Sequence, residues 1–384
     1  MPDLIMLVPV LVTAAFGSMA ACGLIVLTQR WHGTLSLDHL SGKQKVHKVA
    51  VPRIGGAGLV LGVACAFAQL RAGPGAADQM SEVSGGVAAL MGAALPVFAI
   101  GLAEDLTKRV SVRMRFGVML AASLLACWAL DAVLPRVDLP FIDQLLALRL
   151  VAVGVTALAV AGVTNAVNII DGCNGLAGST VVAILSGMAF LGWRCGDALV
   201  LELALLGIGA AVGFLLLNYP RGLLFMGDGG AYFLGFWCAE IAVLLVCRHP
   251  EVSAWQVLAL HAYPVIEVLF SIVRRAGKGD PTLPDRLHLH TLLLRRCVRR
   301  LLPPDPKRPW ARNAAVAALL APWSAAWTVA VTALGGGATI VALLLGLHVL
   351  AYVAVYARLV RGHWRLHPGA IFRRRSRVAR TRLA

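Results

Sequence analysis

Eleven apolar runs, each near the length needed to cross a bilayer, decide what this chain can fold into. They cover residues 4–27, 54–71, 84–103, 116–134, 146–165, 178–193, 198–217, 230–247, 254–273, 313–332 and 337–357. A helix needs roughly 20 apolar residues to span the hydrocarbon core. There each backbone amide must be paired inside its own segment, which selects helices. Only 14% of the 384 residues are charged and 59% are hydrophobic, too few charges for a soluble domain of this size. The expected fold is all-α, a polytopic helical bundle over residues 1–358 with a basic tail over 359–384. Asp3 precedes the first run and no basic residue does. That run is therefore read as a retained helix, not a cleaved signal.

Lysine and arginine set the orientation. With the N-terminus outside, 30 of them fall on inner segments and five on outer ones: Arg71, Arg136, Arg149, Arg194 and Arg248. The positive-inside rule then puts the C-terminus, and every polar motif below, on the cytoplasmic face of the membrane. The net charge of +16 comes from these flanks, so nucleic acid is not an expected partner. The tail, with Arg373, Arg374 and Arg375, reads as an anchor to anionic headgroups. Eight scattered cysteines without a CxxC pair are expected as reduced, packed thiols, with no zinc site.

The densest chemistry lies in Gly162–Gly178. Asn165, Asn168, Asp171 and Asn174 arrive three apart, a step that keeps them near one helical face. Gly172, Gly175 and Gly178 follow at the same interval and suit close approach by a bulky polar ligand. Acids and amides at a membrane helix end need water, a metal or a substrate. A polar cap followed by a turn is the plainer reading of this run taken alone.

Other inner loops supply complementary groups. Lys45 and His47 precede Pro52-Arg53 and Gly55-Gly56 at a helix start, a pattern suited to an anion. Glu104 and Asp105 are adjacent carboxylates near Lys108 and Arg109, in the loop 104–115. Asn218 and Phe225 lead to Asp228, set among glycines at another helix start. Glycine amides there are expected to cradle phosphate while Asp228 holds Mg²⁺, which takes one or two carboxylates plus phosphate oxygens. As an N-cap, Asp228 would be purely structural. The longest loop, 274–312, carries Arg286, His288 and His290, better suited to pyrophosphate than to zinc. Glu202, Glu240 and Glu267 lie within spans and are given structural roles, Glu267 being two turns before Arg274 and open to pairing with it.

Acids on three loops, glycines and basic donors at one membrane–water boundary suit phosphoryl transfer between a soluble diphosphate and a lipid, with positioning and charge neutralisation doing most of the chemistry. From Lys43 to Arg296 the chain resembles the polyprenyl-phosphate N-acetylhexosamine-1-phosphate transferases. The resemblance rests on Lys45-x-His47 with Pro52-Arg53-x-Gly55-Gly56, Glu104-Asp105, Asn165-x-x-Asn168-x-x-Asp171-Gly-x-x-Gly175, Asn218 with Phe225-Met-Gly-Asp228, and His288-Leu-His290.

That resemblance implies transfer of a sugar 1-phosphate from a UDP-N-acetylhexosamine to undecaprenyl phosphate, with Mg²⁺ (or Mn²⁺) and release of UMP. It implies Asp228 and Asp171 as metal ligands, Asp105 positioning or deprotonating the lipid phosphate, and His288 in the catalytic set. Asn218 and Phe225 would hold uridine, and Lys45, Arg286, His288 and His290 would contact phosphates. His47, Glu104, Asn165, Asn168, Gly172 and Asn174 complete the substrate side, and a homodimer is left open. The family usually has two aspartates where this chain has Glu104-Asp105. Asn174 stands where the muramoyl-pentapeptide enzymes have an acid, which favours the surface-polysaccharide branch. A lipid-linked sugar flippase is the rival from another class; it would place its acids at mid-bilayer.

Overall fold

All eleven runs are helical in a computed structural model that describes residues 4–38, 50–72, 81–276, 285, 287–335 and 337–361. Lys45, His47, Arg286 and the tail from residue 362 lie outside the described residues. The helices are α1 Leu4–Ser36, α2 Gly55–Ala72, α3 Ser81–Thr107, α4 Val112–Ala129, α5 Pro140–Leu146, α6 Arg149–Ile170, α7 Leu176–Cys195, α8 Ala198–Asn218, α9 Gly227–Arg248, α10 Ala254–Leu260, α11 Ala262–Arg275, α12 Leu289–Leu293, α13 Arg299–Leu301, α14 Ala311–Leu334 and α15 Ala338–Arg361. Ten of them are long and apolar enough to cross a membrane. The protein is a multi-pass membrane protein.

The run 254–273 is not one straight span. It breaks between α10 and α11 with an 83° bend. Pro264 has no N–H for the Leu260 carbonyl, and its ring crowds that turn. The all-α expectation is otherwise met, save for a two-residue antiparallel pair, β1 Leu37–Asp38 with β2 Val51–Pro52. The Arg53 N–H donates to the Ser36 carbonyl (2.9 Å) beside that pair.

α9 is the centre of the bundle. Of its most apolar stretch 94% is buried, against 22% for α1 and 17% for α15, so the latter two face lipid. Small residues let neighbouring backbones touch. A Cβ on Gly62 of α2 would come within 2.6 Å of the Ala14 carbonyl of α1. One on Gly213 of α8 would overlap the Ala15 carbonyl.

The end of the bundle remote from the motifs is tied by charge. Asp197 caps α8 through the Val200 N–H (3.0 Å) and accepts from Arg248 Nε (2.6 Å). Arg136 donates to Asp138 (2.9 Å) and to the carbonyls of Pro250 (2.8 Å) and Val252 (2.7 Å).

Overpacking a close helix contact costs about 1–3 kcal/mol. Gly213→Ala is therefore expected to lower the melting temperature of the detergent-solubilised protein by several degrees. Gly154→Ala, whose Cβ meets nothing within 4 Å among the described residues, is expected to leave it unchanged.

Candidate active site

The site is built on the N-terminus of α9. A helix start leaves backbone N–H groups without partners, and here it lies inside the bundle. Asp105, near the end of α3, supplies both acceptors: the Asp228 N–H donates to Oδ1 (3.0 Å) and the Gly229 N–H to Oδ2 (3.0 Å). Gly227 enters α9 with φ +73°, and a Cβ there would overlap the Arg53 carbonyl and the Asp105 carboxylate. Asp228 is thus not an N-cap. It sits in the first turn with its own side chain free for the site. The expected phosphate cradle is corrected: these amides are taken by Asp105, and Gly230 presses on Gly56 of α2 (2.8 Å from a built Cβ).

Asp228 gathers the next shell. Asn168 Nδ2 donates to its Oδ1 (3.1 Å) and Arg115 Nη1 to its Oδ2 (2.7 Å). Arg53 Nη2 lies 3.6 Å from Asp228 and 3.4 Å from Asp105. Ser111 caps α4 by accepting the Met114 N–H (3.2 Å), which sets Arg115 in the following turn. Glu104 and Asp105, about 100° apart around a helix, diverge. Glu104 accepts the Val110 N–H (2.9 Å) and shapes the turn, while Asp105 points into the bundle. Lys108 holds φ +56°, a conformation costing a non-glycine residue on the order of 1 kcal/mol. Its ammonium sits 3.9 Å from Asp105.

Asp171 closes the cluster from the end of α6. Among the described residues its carboxylate has no hydrogen-bond or ion-pair partner. Burial pushes its carboxyl up to about 7; Arg53 opposes the shift, and Asp228 and Asp105 add to it. A carboxyl perturbed by burial and by neighbouring charges marks a candidate functional site. Asn165, one turn earlier than Asn168, is partly exposed, and no hydrogen bond ties it among the described residues.

Several expected ligand contacts prove to be internal. A Cβ on Gly172 would overlap the His290 ring, so this glycine admits an imidazole, not a ligand. Gly175 (φ +82°) admits the Tyr219 ring. Asn218 is buried, with Oδ1 accepting the Gly175 N–H (2.6 Å) and Nδ2 donating to the Leu224 carbonyl (2.7 Å). Asn174 donates from Nδ2 to the Pro220 carbonyl (3.0 Å). These two amides staple the loops 171–175 and 218–224, so they are not open to uridine. Phe225 is bound through its backbone, its N–H to the Pro52 carbonyl (2.9 Å), and stays partly exposed.

The histidines divide. His290 is buried, and burial pulls its imidazole down to about 4, with Glu267 opposing and His288 adding to the shift. It is therefore neutral near pH 7, not a cationic phosphate contact. His288 stacks on it at 5.6 Å and 7° and donates from Nδ1 to Glu267 Oε1 (2.9 Å). Glu267 was expected to suit Arg274. Arg274 instead pairs with Asp285, which also accepts from the Ser271 hydroxyl (2.7 Å).

Arg115, Glu267 and Asn313, whose Oδ1 accepts the Asn174 N–H (2.7 Å), join the site although none was singled out for it. Arg115 could not be told from ordinary positive-inside charge. Glu267 carried a signal, an acid within a span.

Residues 87–246 match the family model for glycosyl transferase family 4. The chain is 28% identical to the probable undecaprenyl-phosphate N-acetylglucosaminyl 1-phosphate transferase of Bacillus subtilis, over 65% of this chain and 68% of the relative. It is 28% identical to the decaprenyl-phosphate N-acetylglucosaminephosphotransferase of Mycolicibacterium smegmatis, over 66% and 67%. A phospho-N-acetylmuramoyl-pentapeptide-transferase of Clostridium beijerinckii is 35% identical, over 37% and 44%.

If Asp105 holds α9, its loss must show in stability. Asp105→Asn keeps one acceptor and loses the charge at the helix start, a change of about 1–2 kcal/mol. A lowered melting temperature of the protein is expected. An unchanged one, with activity lost, would instead return Asp105 to the chemistry.

Proposed function

We propose that this transferase moves N-acetylhexosamine 1-phosphate from a UDP-sugar to a polyprenyl phosphate, undecaprenyl phosphate by preference, releasing UMP at the cytoplasmic face of the inner membrane. The observation that carries this reading is Asp171, a carboxylate without a partner among the described residues, facing Asp228 and Asp105 at a bundle end lined by Arg53, Arg115 and Lys108. The comparisons supply the substrate class: two of the relatives are named for N-acetylglucosamine phosphate transfer to polyprenyl phosphates.

The donor set fits Mg²⁺ (or Mn²⁺), a hard cation that takes carboxylate oxygens together with phosphate. Asp171 and Asp228 would hold it, and when bound it would neutralise diphosphate oxygens. Asn168 and Arg115 fix the Asp228 carboxylate, and Asp105 fixes the helix that carries it. Arg53, Arg115 and Lys108 offset the negative charge of two phosphorylated substrates. In the transfer, a lipid phosphate oxygen bonds to the sugar-bearing phosphorus as the bond to the UMP oxygen breaks. A phosphate monoester is largely dianionic near pH 7, its second pKa being about 6. No protein base is then required, which agrees with Asp105 being engaged by backbone. Phe225 is assigned to uracil, and Lys45, His47 and Arg286 to the phosphates.

Purified protein, Mg²⁺, undecaprenyl phosphate and a panel of UDP-sugars test the reading by UMP release. One UDP-N-acetylhexosamine should support turnover, and EDTA should abolish it. Asp228→Asn and Asp171→Asn are each expected to cost about 10²–10³-fold in kcat, the range for one electrostatic group. Asp171→Asn should also leave the melting temperature unchanged or raise it, because it removes an unpaired charge facing two others. Lipid movement without UMP release would favour a flippase.

Orientation is tested separately. Arg113 and Gln144 are exposed at opposite ends of the bundle. An impermeant thiol reagent should label Gln144→Cys in intact cells and Arg113→Cys only after permeabilisation. The reverse pattern would put the site on the outer face.

A further inference from the structure

The last span reaches into the histidine side of the site. Glu267 of α11 is 1% exposed, and a buried carboxylate is tolerated only when its oxygens are satisfied. Oε1 accepts His288 Nδ1–H (2.9 Å) and the Leu289 N–H (3.1 Å). Oε2 accepts the Tyr352 hydroxyl of α15 (2.9 Å) and, at 3.2 Å, the same Leu289 N–H. Tyr352 is thus the only side chain, among the described residues, that holds the second oxygen. Its ring is fixed in turn by Phe270, edge-on at 5.5 Å, and by Tyr356 at 6.2 Å.

We propose that Tyr352 is a positioning residue for His288, acting through Glu267. The hydroxyl fixes the carboxylate. The carboxylate fixes the ring with Nδ1 carrying the proton toward Glu267. Nε2 is left on the side of Asp285, at 3.8 Å, with His290 stacked against the ring face. A ring nitrogen's orientation and tautomer are set by what the other nitrogen bonds. This inference rests on the transferase reading, which places His288 beside the phosphates. Its structural half stands apart from that reading. α15 is thereby more than a lipid-facing closure of the bundle.

Tyr352→Phe tests the inference, because it keeps the ring packing and removes only the hydroxyl. Three readouts separate positioning from mere structure. First, kcat for UMP release should fall about 5–20-fold, with KM for the UDP-sugar changed less than twofold and the melting temperature within a few degrees. Second, in a His288→Ala background the same substitution should have no further effect, since residues that act through one another are not additive. Third, in protein labelled with ¹⁵N-histidine, the His288 signals, assigned by their loss in His288→Ala, should show the Nδ1–H tautomer, and Tyr352→Phe should shift them toward a mixture.

Equal losses with and without His288, or a tautomer signature unmoved by Tyr352→Phe, would overturn the proposal. Wild-type protein inactive with every UDP-sugar would sink the transferase reading instead. The histidine spectrum would still decide whether Tyr352 sets the ring.

Discussion

Two hydrogen bonds, from the backbone of Asp228 and Gly229 to Asp105, hold this protein's centre in register. The N-terminus of α9 would otherwise bring unpaired N–H groups and a partial positive charge into the bundle. A carboxylate answers both needs, where a neutral acceptor would answer one. Because Asp105 comes from α3, the same contact joins two spans at one depth. Because it caps from outside, Asp228 need not cap itself and its side chain turns to the site. Assembly and site geometry therefore share one interaction, and Gly227 is there because nothing larger fits between Arg53 and Asp105.

The electrostatics around that contact are balanced but unevenly distributed. Three carboxylates, Asp105, Asp171 and Asp228, face three cations, Arg53, Arg115 and Lys108. Arg53 lies between Asp105 and Asp228, Arg115 sits on Asp228, and Lys108 stands off Asp105. Asp171 is left to the side. A divalent cation and a diphosphate would enter such a site as a nearly neutral pair, which avoids the cost of burying either charge alone. On that reading, a cluster balanced in charge can leave Asp171 unpaired, among the described residues, at the end of α6.

The sequence disclosed much of this, for identifiable reasons. Span length and apolarity are local properties, so all eleven runs were visible, and the polar loops that carry Arg53, Asp105, Asp171 and Asp228 could be picked out between them. The bend at Leu260–Ala262 was hidden because apolar composition runs through it; only Pro264 hinted at it. Glycine roles were misjudged because a missing side chain does not say what occupies the space. At Gly172 it is His290, at Gly175 Tyr219. Asn218 and Asn174 looked like ligand groups because buried amides that cross-tie loops use the same chemistry as amides that bind substrate. What distinguishes them is partners far apart in the chain, which spacing alone does not reveal.

His290 illustrates how the two halves of the site are joined. An apolar residue would fill the space over Gly172 as well, and among the described residues the buried imidazole finds no hydrogen-bond partner for Nδ1, a desolvation cost of about 1–3 kcal/mol. What the imidazole adds is a flat face that His288 stacks on nearly parallel. That face sits one residue from Asp171, so the loop that carries the unpaired acid also sets the position of the histidine held by Glu267. The acid cluster around α9 and the Glu267–Tyr352 contact thus also meet through Gly172, a backbone position where a Cβ would overlap the His290 ring. The site is one unit for that steric reason, although its parts come from α3, α6, α9, α11 and α15.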